Sequence, residues 1–253
     1  MILDKFSLKG KVAVVTGANT GLGQGMCVAL AQAGAKVAGV ARRSCDETKA
    51  LVEESGSEFL EIIADLSSTE HIDRIVSEAV DKFGRVDILV NNAGIIIRED
   101  AIEYKEEDWA KVISTNQTVV FFLCQAFAKQ YIKQGQGGKI VNVASMLSYQ
   151  GGIRVPSYTA SKSAVLGLTR ALANEWAQHN INVNAIAPGY MATNNTNQLR
   201  SDEQRSNEIL GRIPAGRWGT PEDMMGAVVF LSSDAASYVN GFTLAVDGGW
   251  LAR

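Results

Sequence analysis

Tyr158 and Lys162 stand four residues apart in Ser157-Tyr-Thr-Ala-Ser-Lys162, with Ser145 upstream. On a helix that spacing puts both side chains on one face, an ammonium beside a phenol. At about 4 Å and an effective dielectric of about 20, Coulomb's law gives roughly 4 kcal/mol, or about three pKa units. A tyrosine that ordinarily titrates near 10 would move toward neutrality, where a general acid/base works best. Ser145 would hold a carbonyl or hydroxyl while the phenol moves the proton. Such a pair also arises on helix surfaces with no chemistry attached, so the rest of the chain decides.

The second stretch with chemical potential is glycine-rich. Val12-Ala-Val-Val15 runs straight into Thr16-Gly-Ala-Asn-Thr-Gly-Leu-Gly23, and Leu22, Met26, Ala29, Leu30 and Ala33 then recur at helical spacing as far as Gly34. Gly17, Gly21 and Gly23 permit a tight turn and the approach of backbone N–H groups to a phosphate at a helix start. The plain alternative is a structural strand-to-helix turn. Its position after the first strand and before an amphipathic helix favours dinucleotide binding.

The elements that must position these residues alternate. Apolar runs at Val37–Val40, Phe59–Ala64, Val86–Val90, Lys139–Val143, Val183–Ala187 and Phe242–Val246 read as buried strands. Ser67-x-x-Glu70 reads as a capping box for a helix carrying Ile72, Ile75, Val76, Ala79 and Val80. Helices are also predicted from about Trp109 to Ile132, from before Tyr158 to about His179, and from Pro221 to Ser232. Residues from Tyr190 to about Ser201 are polar and aperiodic, and a mobile substrate lid is expected over about 190–212. The pattern predicts an α/β fold: a doubly wound, Rossmann-type parallel sheet with helices on both faces, as a single domain over 1–253.

In such sheets ligands sit at the carboxyl ends of the strands. Asp65, Asn91, Ser145 and Pro188-Gly189 all fall there. Asp65 reads equally as a helix cap, and Asn91 as a turn residue. Asn116 lies inside a predicted helix, where asparagine is a mediocre choice; a side-chain role and a surface position both remain open.

Composition narrows the class. The chain has 253 residues, 46% hydrophobic and 20% charged, with a formal net charge of -3, which argues against a nucleic-acid binder. No run of about 18 apolar residues offers a membrane span, and the amino terminus lacks the apolar core of a secretory leader. Cys27, Cys45 and Cys124 are scattered and odd in number, as suits a reducing compartment. With His71 and His179 as the only histidines, no metal site is expected. A cytoplasmic protein follows.

Together, Thr16–Gly23, Asp65, Asn91-Asn-Ala-Gly94, Asn116, Ser145, Tyr158-x-x-x-Lys162 and Pro188-Gly189 resemble the short-chain dehydrogenase/reductase family over essentially the whole chain. The resemblance implies Tyr158 as proton donor/acceptor, Ser145 orienting the reacting oxygen, Lys162 lowering the tyrosine pKa and holding the nicotinamide ribose, and Asn116 supporting a water-linked proton relay. It implies a cofactor path along Gly17, Asn19, Gly21, Leu22 and Gly23, with Asp65 and Leu66 near the adenine and Asn91 near the adenosine ribose. Ala93, Gly94, Pro188 and Gly189 continue that path, with Thr193 near the carboxamide. A narrower resemblance, in Ser145–Tyr158, Ala187–Thr196, Arg212–Gly219 and Val246–Arg253, is to family members acting on 3-deoxy keto sugar acids in uronate breakdown. It also implies a homotetramer. The alternatives are a general carbonyl or 3-oxoacyl reductase and a catalytically silent dinucleotide-binding protein.

A sugar acid needs a carboxylate partner, and arginine offers a bidentate one. Arg98 and Arg154 are the candidates, with Gln150 for hydroxyls; both arginines read equally as surface or subunit contacts. For the cofactor, the second strand ends Val40-Ala-Arg42-Arg43, with no acid for the ribose diol of NAD and arginines suited to the 2′-phosphate of NADP. The residues lean to NADP and the resemblance to NAD; use of either is left open, with NAD slightly favoured by the resemblance.

Overall fold

Ala13 and Val15 face one layer of core while Val12 and Val14 face the other. The same split divides Ile88 and Val90 from Leu89, and Val141 from Ile140. A strand with successive side chains on opposite faces and both faces covered must be apolar throughout, which is why the strands read as unbroken hydrophobic runs.

The computed structural model describes residues 1–253. In chain order the elements are β1 (Val12–Thr16), α1 (Gly21–Gln32), β2 (Lys36–Ala41), α2 (Asp46–Glu54), β3 (Phe59–Ile63), α3 (Ile72–Phe83) and β4 (Ile88–Asn91). Then follow α4 (Glu106–Ile113), α5 (Val119–Gln134), β5 (Gly138–Val143), α6 (Pro156–Trp176), β6 (Ile181–Pro188), α7 (Asn197–Ser201), α8 (Glu203–Arg212), α9 (Met225–Ser232) and β7 (Thr243–Val246). The seven strands are all parallel, in the order β3-β2-β1-β4-β5-β6-β7. The expected doubly wound sheet is borne out. Helices α1 and α9 cover one face; α3 and α5 cover the other. The order reverses between β1 and β4, and the crevice at their carboxyl ends is where ligands bind in this architecture.

Several local expectations are corrected. The capping box at Ser67 does not form. Helix α3 begins at Ile72 with His71 at its cap and no side-chain capping bond. The Ser67 amide instead donates to Asp65 Oδ1 at 2.9 Å, a local turn that competes with helix initiation. The helix expected over 109–132 runs from Glu106 to Gln134 and is interrupted by a π-helical turn at Ser114–Thr118. Residues 190–212 carry a short 3-10 turn and helices α7 and α8. Only Ile209 of α8 is buried, so the helix has almost no apolar stripe to betray it. Helix α2, with Thr48 and Val52 as its buried residues, escapes notice for the same reason.

Candidate active site

The carboxyl ends of the strands open onto a cleft of about 550 Å³. At one end is the β1–α1 turn. Gly17 and Gly21 have φ of +66° and +59°, the left-handed region that glycine reaches without strain. A Cβ on Gly23 would lie 2.0 Å from the Gly17 carbonyl oxygen, so only glycine lets the first turn of α1 pack against the loop. Asn19, Gly21 and Leu22 line the cleft at this helix start, where free N–H groups face an incoming ligand. A chain with this cradle fits a phosphate-bearing cofactor.

The loops after β1 and β4 are stitched together. The Thr16 hydroxyl accepts from the amides of Asn92 and Ala93, each at 3.0 Å, and Asn92 Nδ2 donates to Thr16 O at 2.9 Å. Ala93 and Gly94 line the cleft beside them. Asn91 does not. Strand alternation turns it to the side of Leu89, where its amide nitrogen donates to Asn142 Oδ1 at 2.9 Å and meets Cys124 Sγ. The side chain expected near the ribose is therefore a buried link between β4 and β5, and Asn92 is the residue that faces the cleft.

Along the β2–β3 edge, Arg42 and Arg43 are exposed, line the cleft and pair with no acid. Glu61 on β3 is occupied by the Ser44 hydroxyl at 3.0 Å and the Cys45 amide at 2.5 Å, at the start of α2. Asp65 and Leu66 close this end.

At the opposite end are Ser145, Tyr158 and Lys162. Ser145 follows β5, and its hydroxyl accepts from the Leu147 amide at 3.1 Å. Pro156 opens α6, which carries Tyr158 and Lys162 on one face as the spacing predicts. Lys162 is 4% exposed, and its Nζ donates to the Val143 carbonyl at 2.6 Å and lies 5.7 Å from the centre of the Tyr158 ring. Burial brings its pKa down to about 8. The expected lowering of Tyr158 by Lys162 is not found. Burial raises the phenol above its ordinary value of 10, and the groups pulling it back are Ser145, by hydrogen bonding, and Arg98, by charge. Desolvation of the neutral-preferring phenol outweighs both.

Asn116 sits in the π-helical turn, fully buried. Its Oδ1 accepts from the Ile95 amide at 2.9 Å, and its Nδ2 donates to the Ile95 carbonyl at 2.9 Å and to Ser161 Oγ at 3.2 Å. Both amide hydrogens are committed. The side chain clamps the main chain just after Gly94, whose position a Cβ would bring to 3.7 Å from Lys162 Nζ. Such single-turn π insertions concentrate at functional sites.

Pro188 and Gly189 line the cleft at the end of β6, and Thr193 lies over the glycine loop, 3.5 Å from where a Gly21 Cβ would stand. The three expected substrate residues separate. Arg98 does not itself line the cleft; it has no acidic partner, donates at 3.1 Å to the carbonyl of Asn195, which does line it, and acts by its charge on the Tyr158 phenol. Arg154 is instead held outside the cleft by Asp100 at 3.1 Å and Glu99 at 3.6 Å, which neutralise its charge. Gln150 also lies off the cleft and accepts from Arg212 at 3.2 Å. Sequence reasoning passed over Asn92, Thr115 and Met191, all in the wall of the cleft. Asn92 was within reach, since alternation alone puts Asn91 and Asn92 on opposite faces.

Comparison with known proteins places this arrangement in context. A family model described as enoyl-(acyl carrier protein) reductase matches residues 17–251. The 2-dehydro-3-deoxy-D-gluconate 5-dehydrogenases of Escherichia coli (strain K12) and Dickeya dadantii (strain 3937) are each 64% identical over 253 residues, covering 100% of both chains. A crystal structure from Agrobacterium tumefaciens, of a protein provisionally named a 2-deoxy-D-gluconate 3-dehydrogenase with bound NADP, has a TM-score of 0.94 at 55% identity. It covers 99% of this chain and 100% of its own.

Proposed function

The chain belongs to the short-chain dehydrogenase/reductase family, and on that premise we propose that it is an NADP-preferring oxidoreductase interconverting a hydroxyl and a ketone on a 3-deoxy sugar acid. The substrate class follows the names of relatives 64% identical over the full length. The observation that carries the chemistry is Tyr158 with the buried Ser145 and Lys162 in the same cleft as the glycine cradle.

The residues fit the cofactor. The β1–α1 turn would hold the pyrophosphate, Arg42 and Arg43 the 2′-phosphate, Asp65 and Leu66 the adenine edge, and Lys162 the nicotinamide ribose. When bound, the nicotinamide supplies or accepts the hydride. Tyr158 gives a proton to the carbonyl oxygen in reduction and takes one from the hydroxyl in oxidation. Ser145 holds that oxygen by hydrogen bonding, and Lys162 keeps positive charge near the phenolate as it forms. Asn116 fixes the Ile95 main chain and so the wall facing Lys162. Arg98, free of acidic partners beside Tyr158, takes the substrate carboxylate. The arginines at the end of β2 favour NADP over NAD. The chain further acts as a homotetramer, in which Trp109 and Phe122 on α4 and α5, together with Tyr238 and Phe242, are covered by other copies; all four are exposed in the single chain.

The test follows reduced-nicotinamide absorbance with NADP(H) and NAD(H), 2-dehydro-3-deoxy-D-gluconate and a 3-oxoacyl thioester. Turnover of the sugar acid, abolished in Tyr158→Phe with cofactor binding retained, is the expected result. Turnover of the thioester alone, or full activity in Tyr158→Phe, would overturn the assignment.

A further inference from the structure

Arg154 has φ of +63°, one of only two non-glycine residues in the chain with positive φ. The left-handed region brings a Cβ against the following carbonyl, so a side chain persists there only when its surroundings hold it. They do. The Arg154 carbonyl accepts from the Glu99 amide at 3.0 Å, while its guanidinium meets Asp100 at 3.1 Å and Glu99 at 3.6 Å. These carboxylates and the guanidinium are about half exposed, and exposed ion pairs add little to stability. Stability alone therefore gives no reason for an arginine in a conformation that glycine adopts freely.

The location gives one. Arg98 directly precedes the two acids. On its other side, the Ile97 carbonyl accepts from the Tyr104 hydroxyl at 3.2 Å, and that hydroxyl also bonds Ser157 Oγ at 2.5 Å. Ser157 is the residue before Tyr158. Segment 97–100 is thus pinned at both ends to the beginning of α6, and Arg98 is the residue presented between the pins. We infer that Arg154 is a positioning residue: its latch to Glu99 and Asp100 aims Arg98 at the reaction centre and so sets the preference of the enzyme for anionic substrates. The inference rests on Arg98 holding the substrate carboxylate.

The experiment compares kcat/KM for 2-dehydro-3-deoxy-D-gluconate with that for its uncharged methyl ester. Wild type, Arg98→Ala, Arg154→Gly, Arg154→Lys and the Arg98→Ala/Arg154→Gly double variant are measured. Glycine suits the backbone at 154 and keeps the main-chain bond to Glu99, so the fold is retained while the latch is lost. Arg98→Ala should lower the acid-to-ester ratio by about 10- to 100-fold, as loss of a charged hydrogen bond implies. Arg154→Gly should lower it by about tenfold through the KM for the acid, Arg154→Lys by less, and the double variant no further than Arg98→Ala alone. An unchanged ratio in Arg154→Gly beside a lowered one in Arg98→Ala would overturn the latch. Additive losses in the double variant would also overturn it, because Arg154 would then act independently. An unchanged ratio in Arg98→Ala would instead overturn the carboxylate assignment beneath it.

Discussion

Lys162 should make the protein less stable than it would be without it. The side chain is 4% exposed, and its Nζ has the Val143 carbonyl as hydrogen-bond partner with no carboxylate in an ion pair. Burial lowers its pKa from 10.5 to about 8, so at neutral pH it is still mostly protonated and burying the charge opposes folding. At about 1.36 kcal/mol per unit, that fall costs about 3 kcal/mol. Lys162→Met keeps the length and removes the charge. It also removes the bond to Val143, worth about 1 kcal/mol, which leaves a net gain of about 2 kcal/mol. For a chain of this size, the melting temperature should rise by about 4–8 °C at pH 7, while turnover is lost. The pH dependence has a definite sign. Below about pH 8 the lysine is charged in both folded and unfolded chains and the penalty is complete. Between about 8 and 10.5 the folded chain binds fewer protons than the unfolded one, so wild-type stability from this group rises with pH. The advantage of the methionine variant should therefore shrink toward zero by about pH 10. Differential scanning calorimetry of both proteins at pH 7 and pH 10 reads this directly. Equal gains at the two pH values, or a loss at pH 7, would refute the reasoning.

Two further outcomes follow from the site and the surface. Arg42→Ala and Arg43→Ala should each raise the KM for NADP by about tenfold, the effect of one exposed charge-assisted contact of about 1.5 kcal/mol, and leave the KM for NAD within about twofold; an unchanged NADP:NAD ratio in the double variant would remove the 2′-phosphate assignment. Sedimentation equilibrium should give four times the 27.1 kDa chain mass, and Phe122→Lys should reduce it; a monomeric wild type would discard the assembly.

The sheet was legible because burial on both faces leaves no room for polar residues within a strand, as Val12–Val15 and Ile88–Val90 illustrate. The glycine loop and the Tyr158/Lys162 spacing were legible because backbone sterics and helical geometry act locally. What stayed hidden depends on contacts far apart in sequence. Nothing near Arg154 announces that Glu99 and Asp100 would hold it away from the cleft. The π-helical turn at Asn116 is fixed by Ile95 and Ser161, on two other segments. The sign of the Tyr158 shift was missed because Coulomb attraction can be read from spacing, whereas desolvation depends on everything packed around the ring. The direction of Asn91 is a different case. Period-two alternation along β4 puts it on the side of Leu89, a local signal that the sequence carries but that the reading as a turn residue did not use.

The excursion between β6 and α9 leaves and rejoins the body at a single parallel bridge, Met191 to Gly219. There the Ala192 amide meets the Gly219 carbonyl at 2.7 Å, and the Gly219 amide meets the Tyr190 carbonyl at 2.9 Å. A loop whose two ends are already joined can change length at little cost, about 0.6 kcal/mol for each doubling. No strand register passes through it, and its outer helices bury almost nothing in the main core. Insertions or deletions beyond Thr193, which keeps the start of the segment against the glycine loop, therefore leave the seven-stranded sheet in register.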